Sequence, residues 1–252
     1  MADKFALLIG CNYKGSDYPL DGCWNDVNGM KAYLLTRGYV LENMEVMTDE
    51  AANQNTDKLP TKVNILKAFE RLVAKSHLPT TKTIFLHFSG HGGFLPDRNG
   101  DEADRRDECI FSSDLEMIID DDIRKLIVAR IPEGVKLRAV FDSCNSGSAI
   151  DLNYRYVPFK GLYRENSTAL NRDAVFISGS RDDQFSADAF IDQKPQGALT
   201  ANLLKLLNKP QPGWRWHDFT KILQYVMRSE GFDQVPQVSV CLKETITGLV
   251  DI

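Results

Sequence analysis

The sequence predicts an α/β fold in which a mainly parallel central β-sheet is flanked by helices on both faces. Short apolar segments alternate along the chain with segments of helical length, which is the order that repeated βα units produce. The strand candidates are almost continuously apolar, whereas a strand with one face in water alternates apolar and polar residues. The 252 residues fit one domain, because a single core can grow to roughly 250 residues before it divides.

Strand and helix signals follow one another in order from the N-terminus. The apolar run at 4–11 is bounded by turn residues and predicts the first strand. A segment of helical length follows at 24–37, and Gly38 suits its C-terminal cap because glycine lacks a β-carbon. The remaining predicted elements are a strand at 44–48, a helix at 61–76, strands at 83–89, 136–142 and 174–178, helices at 121–131, 199–208 and 217–230, and a strand at 238–242.

The segment 153–172 has no clean periodicity and is long for a connection. Connections of this length are commonly functional or mobile, and a plain surface excursion is the alternative interpretation. The segment is also basic, with Arg155, Lys160, Arg164 and Arg172. We expect a mobile loop here.

Charge and cysteine content limit the classes of partner. The 30 basic and 35 acidic residues leave a net charge of -5, so a basic footprint for nucleic acid is missing and no nucleic-acid partner is expected. No run approaches the roughly 18 apolar residues of a membrane span, and the start does not fit a signal peptide, so no membrane partner is expected. The five scattered cysteines suit free thiols in a reducing compartment, which predicts a cytoplasmic location.

Two loops that follow predicted strands carry residues suited to nucleophilic catalysis. His91 lies among glycines after the strand at 83–89, and Cys144 follows the strand at 136–142. In open α/β sheets, ligands bind beyond the carboxyl ends of the strands. A cysteine attacks as its thiolate, and a nearby imidazole can take the thiol proton and later protonate the leaving amine. These residues therefore predict a cysteine–histidine dyad.

A zinc site explains the same residues less well. His87 and His91 are four residues apart, but His87 falls on a predicted strand and no cysteine pair completes a zinc site. A glycine-rich phosphate loop of the G-x-x-x-x-G-K-[ST] type is also absent from the sequence. Covalent catalysis by the cysteine remains the leading interpretation.

Six blocks of sequence occur in the order in which one peptidase family has them. They are ALLIGCNY at 6–13, GCWND at 22–26, FSGHGG at 88–93, DSCNSGSAIDL at 142–152, SGSRDDQFSADA at 178–189 and QGALT at 196–200. On these blocks the chain resembles the metacaspases, the caspase-like cysteine peptidases of plants, fungi, protists and bacteria. The resemblance implies the caspase-hemoglobinase fold in one domain at 1–252, with a large region at about 1–152, a connecting loop at about 153–172 and a small region at about 173–252. It also implies a monomer.

The same resemblance implies the catalytic groups. His91 and Cys144 match the family's dyad, and the backbone N–H groups of Gly92 and Cys144 match its oxyanion hole. The separation of 53 residues (144 − 91) agrees with the roughly 50 residues between the corresponding groups of caspases. The implied reaction is hydrolysis of proteins or peptides.

Substrate preference is implied to be for arginine or lysine at P1, the residue before the scissile bond. The family's acidic S1 pocket matches Asp26 and Asp142, with Cys23 and Ser89 nearby. Two carboxylates in a partly desolvated pocket attract one guanidinium or ammonium group, which gives the preference a physical reason.

Two positions depart from the family pattern. Asn145 follows the cysteine where the family usually has histidine, and Phe88 precedes the SGHG block where it usually has tyrosine. These departures leave an alternative open, a catalytically weak or inactive caspase-like scaffold that acts by protein interaction.

Acidic residues occur in runs, chiefly at 97–102, 107–108 and 120–122. The first run lacks the residue order of an EF-hand loop, and a solvated acidic surface is the alternative interpretation. The resemblance to calcium-binding metacaspases implies an activating, non-catalytic Ca²⁺ ion. Its implied ligands are Asp107, Asp120, Asp121 and Asp151.

We also predict self-processing. The segment 153–172 is basic, begins just after the cysteine block and is expected to be mobile, so the enzyme could cleave it. The candidate cleavage sites are Arg155, Lys160, Arg164 and Arg172.

Overall fold

The computed structural model describes residues 3–96, 106–143, 149–166, 169–179, 188–191, 194–209 and 213–252. The described strands are β1 (Asp3–Gly10), β2 (Met44–Thr48), β3 (Thr81–Ser89), β4 (Gly92–Pro96), β5 (Arg106–Phe111), β6 (Met117–Ile119), β7 (Lys136–Asp142), β8 (Tyr154–Val157), β9 (Gly161–Arg164), β10 (Ala174–Ser178), β11 (Asp188–Ile191), β12 (Lys194–Gly197) and β13 (Gln237–Val240). The α-helices are α1 (Cys23–Thr36), α2 (Lys62–Ser76), α3 (Asp120–Leu126), α4 (Ala198–Leu207) and α5 (Trp216–Ser229).

A sheet of eight described strands organises the molecule, in the order β2-β1-β3-β7-β10-β13-β8-β9. The pairs from β2 to β10 are parallel, and β13, β8 and β9 add antiparallel pairs at one side. The predicted fold class, a mainly parallel sheet within an α/β fold, is confirmed.

Each face of the sheet is covered by its own apolar core. On one face, α2 contributes Phe69 and Leu72 to a core that also takes Phe88 and Phe141 from the sheet. On the other face, residues of α1, α4 and α5 pack against the sheet, which contributes Phe85 to this core. Phe85 and Phe88 lie on opposite faces because side chains alternate along a strand. Burial of both faces explains why the central strands read as apolar runs.

The predicted helix ends agree closely with the structure where their caps are local. Gly38 has φ 84°, the left-handed conformation that glycine adopts without strain just past the end of α1. At the start of α2, the Thr61 side chain accepts a hydrogen bond from the Asn64 N–H. The helix expected at 121–131 is shorter, because α3 ends at Leu126 and a 3₁₀ turn follows.

The expectation of a mobile loop at 153–172 is wrong for the part that forms β8 and β9. These strands pair with each other, and β8 pairs with β13. Tyr154, Tyr156 and Leu162 pack against the core on the α4 face. The alternation of aromatic and basic residues in β8 is a half-buried strand pattern. This alternation alone could not predict a strand, because only the position of β13 shows that a strand can pair there.

Two smaller sheets were not predicted. β4, β5 and β6 form an antiparallel sheet after His91, and β11 pairs with β12 ahead of α4. Within the part of the chain that the structure describes, no helix has the length and apolar character to span a membrane.

Candidate active site

The predicted loops leave the sheet side by side. β3 and β7 are parallel neighbours, and Ser89 is paired with Asp142 at their carboxyl ends. His91 follows two residues after Ser89, and Cys144 stands two positions after Asp142 in the sequence. The expected use of adjacent strands is confirmed. Cys144 itself, with Asn145, lies outside the described residues.

Tyr13 anchors the backbone and the ring of His91. The Tyr13 hydroxyl accepts a hydrogen bond from the His91 N–H at 2.9 Å and donates one to the Phe111 carbonyl at 2.7 Å. The Tyr13 hydroxyl therefore bridges the His91 N–H and the Phe111 carbonyl, which would bond directly in a regular antiparallel ladder. The other bond of this residue pair is direct, because the Phe111 N–H donates to the His91 carbonyl. The Tyr13 and His91 rings also stack, with centroids 4.6 Å apart.

Burial and backbone conformation keep Tyr13 in this role. Burial raises the pKa of Tyr13 well above its usual value, so the hydroxyl stays protonated and can donate. Its φ of 50° is left-handed, and the Asp49 carboxylate stabilises that turn by accepting hydrogen bonds from Asn12 N–H, Tyr13 N–H and Trp24 Nε1. Gly90 completes the fit, since a β-carbon there would lie 2.6 Å from the Tyr13 hydroxyl.

One hydrogen bond assigns the roles of the His91 ring nitrogens. Nε2 lies 2.7 Å from the Tyr18 carbonyl oxygen. A carbonyl can only accept, so Nε2 carries the proton and Nδ1 of the neutral ring keeps a lone pair. Nδ1 is thus the atom available as a base.

Gly92 occupies a position from which its N–H can serve a ligand. It begins β4 and faces Ile110 of β5. Because the ladder bond runs from Phe111 N–H to the His91 carbonyl, Gly92 and Ile110 form a pair that exchanges no hydrogen bonds. The Gly92 N–H therefore points away from β5.

The two predicted S1 carboxylates converge on the start of α4. The Asp26 carboxylate accepts hydrogen bonds from Ser89 Oγ at 2.6 Å and from the Gly197 N–H at 3.0 Å. The Asp142 Oδ2 atom accepts one from the Thr200 N–H at 2.7 Å. Asp26 and Asp142 are only 1% and 4% exposed, so these donors replace hydrogen bonds that water would otherwise make.

Gly197 and Thr200 contact the predicted S1 carboxylates, and they had no role assigned from the sequence alone. A β-carbon on Gly197 would lie 2.7 Å from Asp26 Oδ2 and closer still to Asp142 Oδ2, so only glycine fits between the carboxylates. The sequence did contain a signal, because the QGALT block at 196–200 includes both residues and matches the family pattern. No role was assigned to that block. Cys23, the other predicted S1 residue, is buried at the first position of α1, where its N–H donates to Asn12 Oδ1.

His87 lies beneath this site. It is fully buried, and burial lowers its pKa to about 3, so the ring is neutral. Its Nε2 atom lies 3.4 Å from the Thr200 hydroxyl, a long contact that adds to the polar surroundings of the S1 carboxylates. The prediction that His87 lies on a strand is confirmed, since it belongs to β3.

Comparisons with known proteins decide the family. The model of the metacaspase peptidase C14 domain matches residues 4–153, more than half of the chain. Metacaspase-1 of Yarrowia lipolytica is 34% identical over 94% of the chain. The chain belongs to the metacaspase family. It covers 61% of that relative, and 67% of Metacaspase-1B of Aspergillus oryzae, which is 34% identical over 93% of the chain.

A solved structure supports the fold of this metacaspase domain. The crystal structure of protein GSU0716 from Geobacter sulfurreducens superposes with a TM-score of 0.67 and 23% identity, covering 97% of each chain. At that identity the likeness supports the caspase-like architecture alone.

The departure at Phe88 is a core substitution in this metacaspase. Phe88 is fully buried, and its ring centroid lies 5.8 Å from that of Phe141. A phenylalanine here packs without a hydroxyl that would need a partner. The side chain faces the α2 core, whereas Ser89 faces the S1 carboxylates.

The structure buries the acidic residues that the metacaspase resemblance assigned to calcium. Asp107, Asp120 and Asp151 are each 2% exposed, and Asp121 is half-buried. Burial, helped by the charge of Asp151, raises the pKa of Asp120 to about 7 against the hydrogen bonds it accepts. Arg124 lies 3.4 Å from Asp151 Oδ2. Among the described residues, no group of three or more His, Cys, Asp and Glu side chains is arranged to hold a metal.

The four candidate cleavage sites occupy different settings. Arg155 lies in β8 and pairs with Glu165, and Arg164 ends β9. Lys160 is exposed in the turn between those strands. Arg172 lies before β10 and is 3.6 Å from Glu133.

Proposed function

We propose that this metacaspase domain is a cysteine endopeptidase that cleaves after arginine or lysine, with Cys144 as nucleophile and His91 as acid–base partner. The observation that carries the proposal is the pair of buried carboxylates, Asp26 and Asp142, at the strand end beside the loop of His91. The described donors to these carboxylates are neutral hydroxyl and N–H groups. Carboxylates in a desolvated site favour a cationic side chain as their partner.

The chemistry assigned to His91 follows from its hydrogen bonds. With Nε2–H bound to the Tyr18 carbonyl, Nδ1 accepts the Cys144 thiol proton and later returns a proton to the leaving amine. The thiolate adds to the scissile carbonyl, the amine departs, and water then releases the acyl group from sulfur. The Gly92 N–H is suited to the oxyanion, and the Cys144 N–H is the second proposed donor.

A P1 scan tests the proposal. Peptidyl coumarin amides with Arg, Lys, Asp or Leu at P1 should be cleaved only when P1 is basic, and Cys144→Ala should cleave none of them. An activity-based probe with P1 arginine should label the wild type. An unlabelled but folded wild type would favour the scaffold alternative, and preference for P1 aspartate would refute the S1 assignment.

Calcium activation is a further part of the proposal. The carboxylates of Asp107, Asp120, Asp121 and Asp151 supply the oxygen ligands that Ca²⁺ prefers. Burial, with a smaller contribution from the charge of Asp151, raises the pKa of Asp120, and a bound cation would stabilise the ionised form of this carboxyl group. Because the described side chains do not group as a finished site, we propose that binding gathers them and acts through Asp151 on the cysteine block, in which Cys144 lies seven residues away in sequence.

Calorimetry separates binding from activation. Wild type should bind Ca²⁺ and lose activity in a chelator, while Asp120→Asn with Asp121→Asn should bind it at least tenfold more weakly, by about 1.4 kcal/mol or more. Full activity of the wild type in a chelator would refute activation, and unchanged binding by the double variant would refute these ligands.

Self-processing is proposed to start at Lys160. Exposed turns are preferred sites of proteolytic cleavage, and the turn between β8 and β9 is exposed, whereas cleavage at Arg155 or Arg164 requires opening of the strands. N-terminal sequencing of wild type incubated with calcium should find a fragment that begins at Gly161. The same fragment from Cys144→Ala would exclude self-cleavage.

We also propose that the domain acts as a monomer in a reducing compartment such as the cytoplasm. The four described cysteines are buried free thiols, which suits that setting. Light scattering across a hundredfold concentration range should give the mass of one chain, and a concentration-dependent dimer would contradict it.

A further inference from the structure

A cleft of about 280 Å³ opens directly beside His91. Its lining residues are Tyr18, His91, Gly92, Phe111 and Leu115. None of these lining residues belongs to the S1 carboxylate site. The cleft and the S1 site are therefore separate spaces near the catalytic histidine. The volume of the cleft is just below that of typical ligand pockets, which run from roughly 300 to 1,000 Å³, and suits one or two side chains better than a long ligand.

The catalytic role of His91 identifies which part of a substrate meets this cleft. A general acid must contact the leaving amine, which belongs to P1′, the residue immediately after the scissile bond. Basic P1 is taken by Asp26 and Asp142 on their own side of the site. The side chain of P1′ is therefore the substrate group placed beside the His91 ring and the residues that surround it.

The cleft is bordered by apolar side chains that water would otherwise reach. Tyr18 is 66% exposed and Leu115 is 42% exposed, while the partly buried Phe111 packs against the core behind them. Apolar surface grouped in a concave site favours an apolar occupant, because contact removes both surfaces from water.

Leu115 provides an independent observation. Its φ of 60° is left-handed, a conformation that costs a leucine roughly 1–2 kcal/mol. Hydrogen bonds hold it there, from Leu115 N–H to the Ser112 carbonyl and from Ser112 N–H to the Glu116 carbonyl. Ser113 N–H also donates to Pro60 next to α2. The hairpin turn between β5 and β6 thus fixes the backbone that presents the exposed Leu115 side chain at the rim of the cleft.

We propose that this cleft is the S1′ subsite and that it selects a large apolar side chain, such as leucine or phenylalanine, at P1′. The inference rests on the proposed function, because it takes His91 as the general acid. Burial of such a side chain should raise kcat/KM about tenfold to a hundredfold over serine or aspartate.

The test uses internally quenched peptides in which P1 and P1′ are varied independently, with calcium chloride present. For wild type, the kcat/KM ratio of Leu to Asp at P1′ should be at least about tenfold. In Leu115→Gly the ratio should fall to within about threefold, because the rim side chain is gone. Glycine accepts the left-handed backbone, so this variant should fold at least as well as wild type. Each ratio compares two peptides with one preparation, so the fraction of active enzyme cancels.

Phe159→Gly is the matched control. Phe159 also has a left-handed φ, 66°, and is 92% exposed, but it lies at the turn between β8 and β9. This variant should keep the wild-type P1′ ratio. An equal ratio for Leu and Asp in wild type, or an unchanged ratio in Leu115→Gly, would overturn the S1′ assignment. Cleavage after a non-basic P1 with the P1′ preference intact would refute the S1 proposal alone, and cleavage of no peptide would overturn both.

Discussion

At the residue scale, Tyr13 is the side chain that links the fold most directly to His91. Tyr13→Phe keeps the ring stacked on the imidazole but removes both hydrogen bonds of the hydroxyl. We expect kcat to fall about tenfold with KM little changed, and stability to fall by about 1–3 kcal/mol. Tyr39→Phe is the control, since the buried Tyr39 hydroxyl has no hydrogen-bond partner among the described residues. Equal effects of the two substitutions on kcat would contradict the anchoring role.

His87 gives a pH prediction at the same scale. Its pKa is about 3 in the fold because of burial, against about 6.5 in the unfolded chain. The unfolded chain therefore binds the extra proton between these values, so the contribution to stability is complete above pH 6.5 and is lost as the pH falls toward 3. Between pH 7.5 and pH 5.5, the free energy of unfolding measured in urea should fall by about 1 kcal/mol less for His87→Gln than for wild type. Identical losses would place the titration elsewhere.

At the element scale, the chain at the start of α4 contacts the two proposed S1 carboxylates. The Gly197 N–H donates to Asp26 and the Thr200 N–H donates to Asp142. The two carboxylates leave no room for a β-carbon on Gly197. Gly197→Ala should displace the carboxylates and lower kcat/KM for P1 arginine by about a hundredfold. Gly248→Ala, where the nearest atom to a new β-carbon is the Thr245 carbonyl oxygen at 3.0 Å, should keep that activity. Wild-type kinetics for Gly197→Ala would show that the carboxylates do not depend on this close approach.

At the scale of the whole molecule, Arg138 ties the middle of the sheet to the end of the sequence. This arginine of β7 is 3% exposed, and its Nε and Nη2 atoms donate to Asp251 at 2.6 and 2.8 Å. Burial opposes ionisation of Asp251, but Arg138 and Lys136 outweigh it and lower the pKa of the carboxyl. Asp251→Asn should cost roughly 2–3 kcal/mol, less than a fully buried pair because Asp173 still contacts Arg138. Asp21→Asn, which breaks the exposed pair with Lys14, should cost less than about 1 kcal/mol in the same denaturant assay.

Sequence reasoning succeeded where the signal was local or periodic. The apolar runs of β1, β3 and β7 and the caps at Thr61 and Gly38 depend on neighbouring residues, so their positions could be predicted. It failed for β8 and β9, because a short strand with half-buried side chains is stable only where another strand offers a free edge.

The sequence by itself determined the α/β class, the family and the identity of the candidate residues, because these follow from periodicity and from motifs that are contiguous in the chain. Only the tertiary structure decided that a tyrosine 78 residues away in sequence bridges the His91 backbone. It also decided that the Gly197 N–H, at the start of α4, and the Thr200 N–H, within α4, donate to the two proposed S1 carboxylates, 171 residues from Asp26 and 58 residues from Asp142 in sequence. Hydrogen bonds and desolvation depend on distance in space, and that distance is set only when the sheet brings its strand ends together.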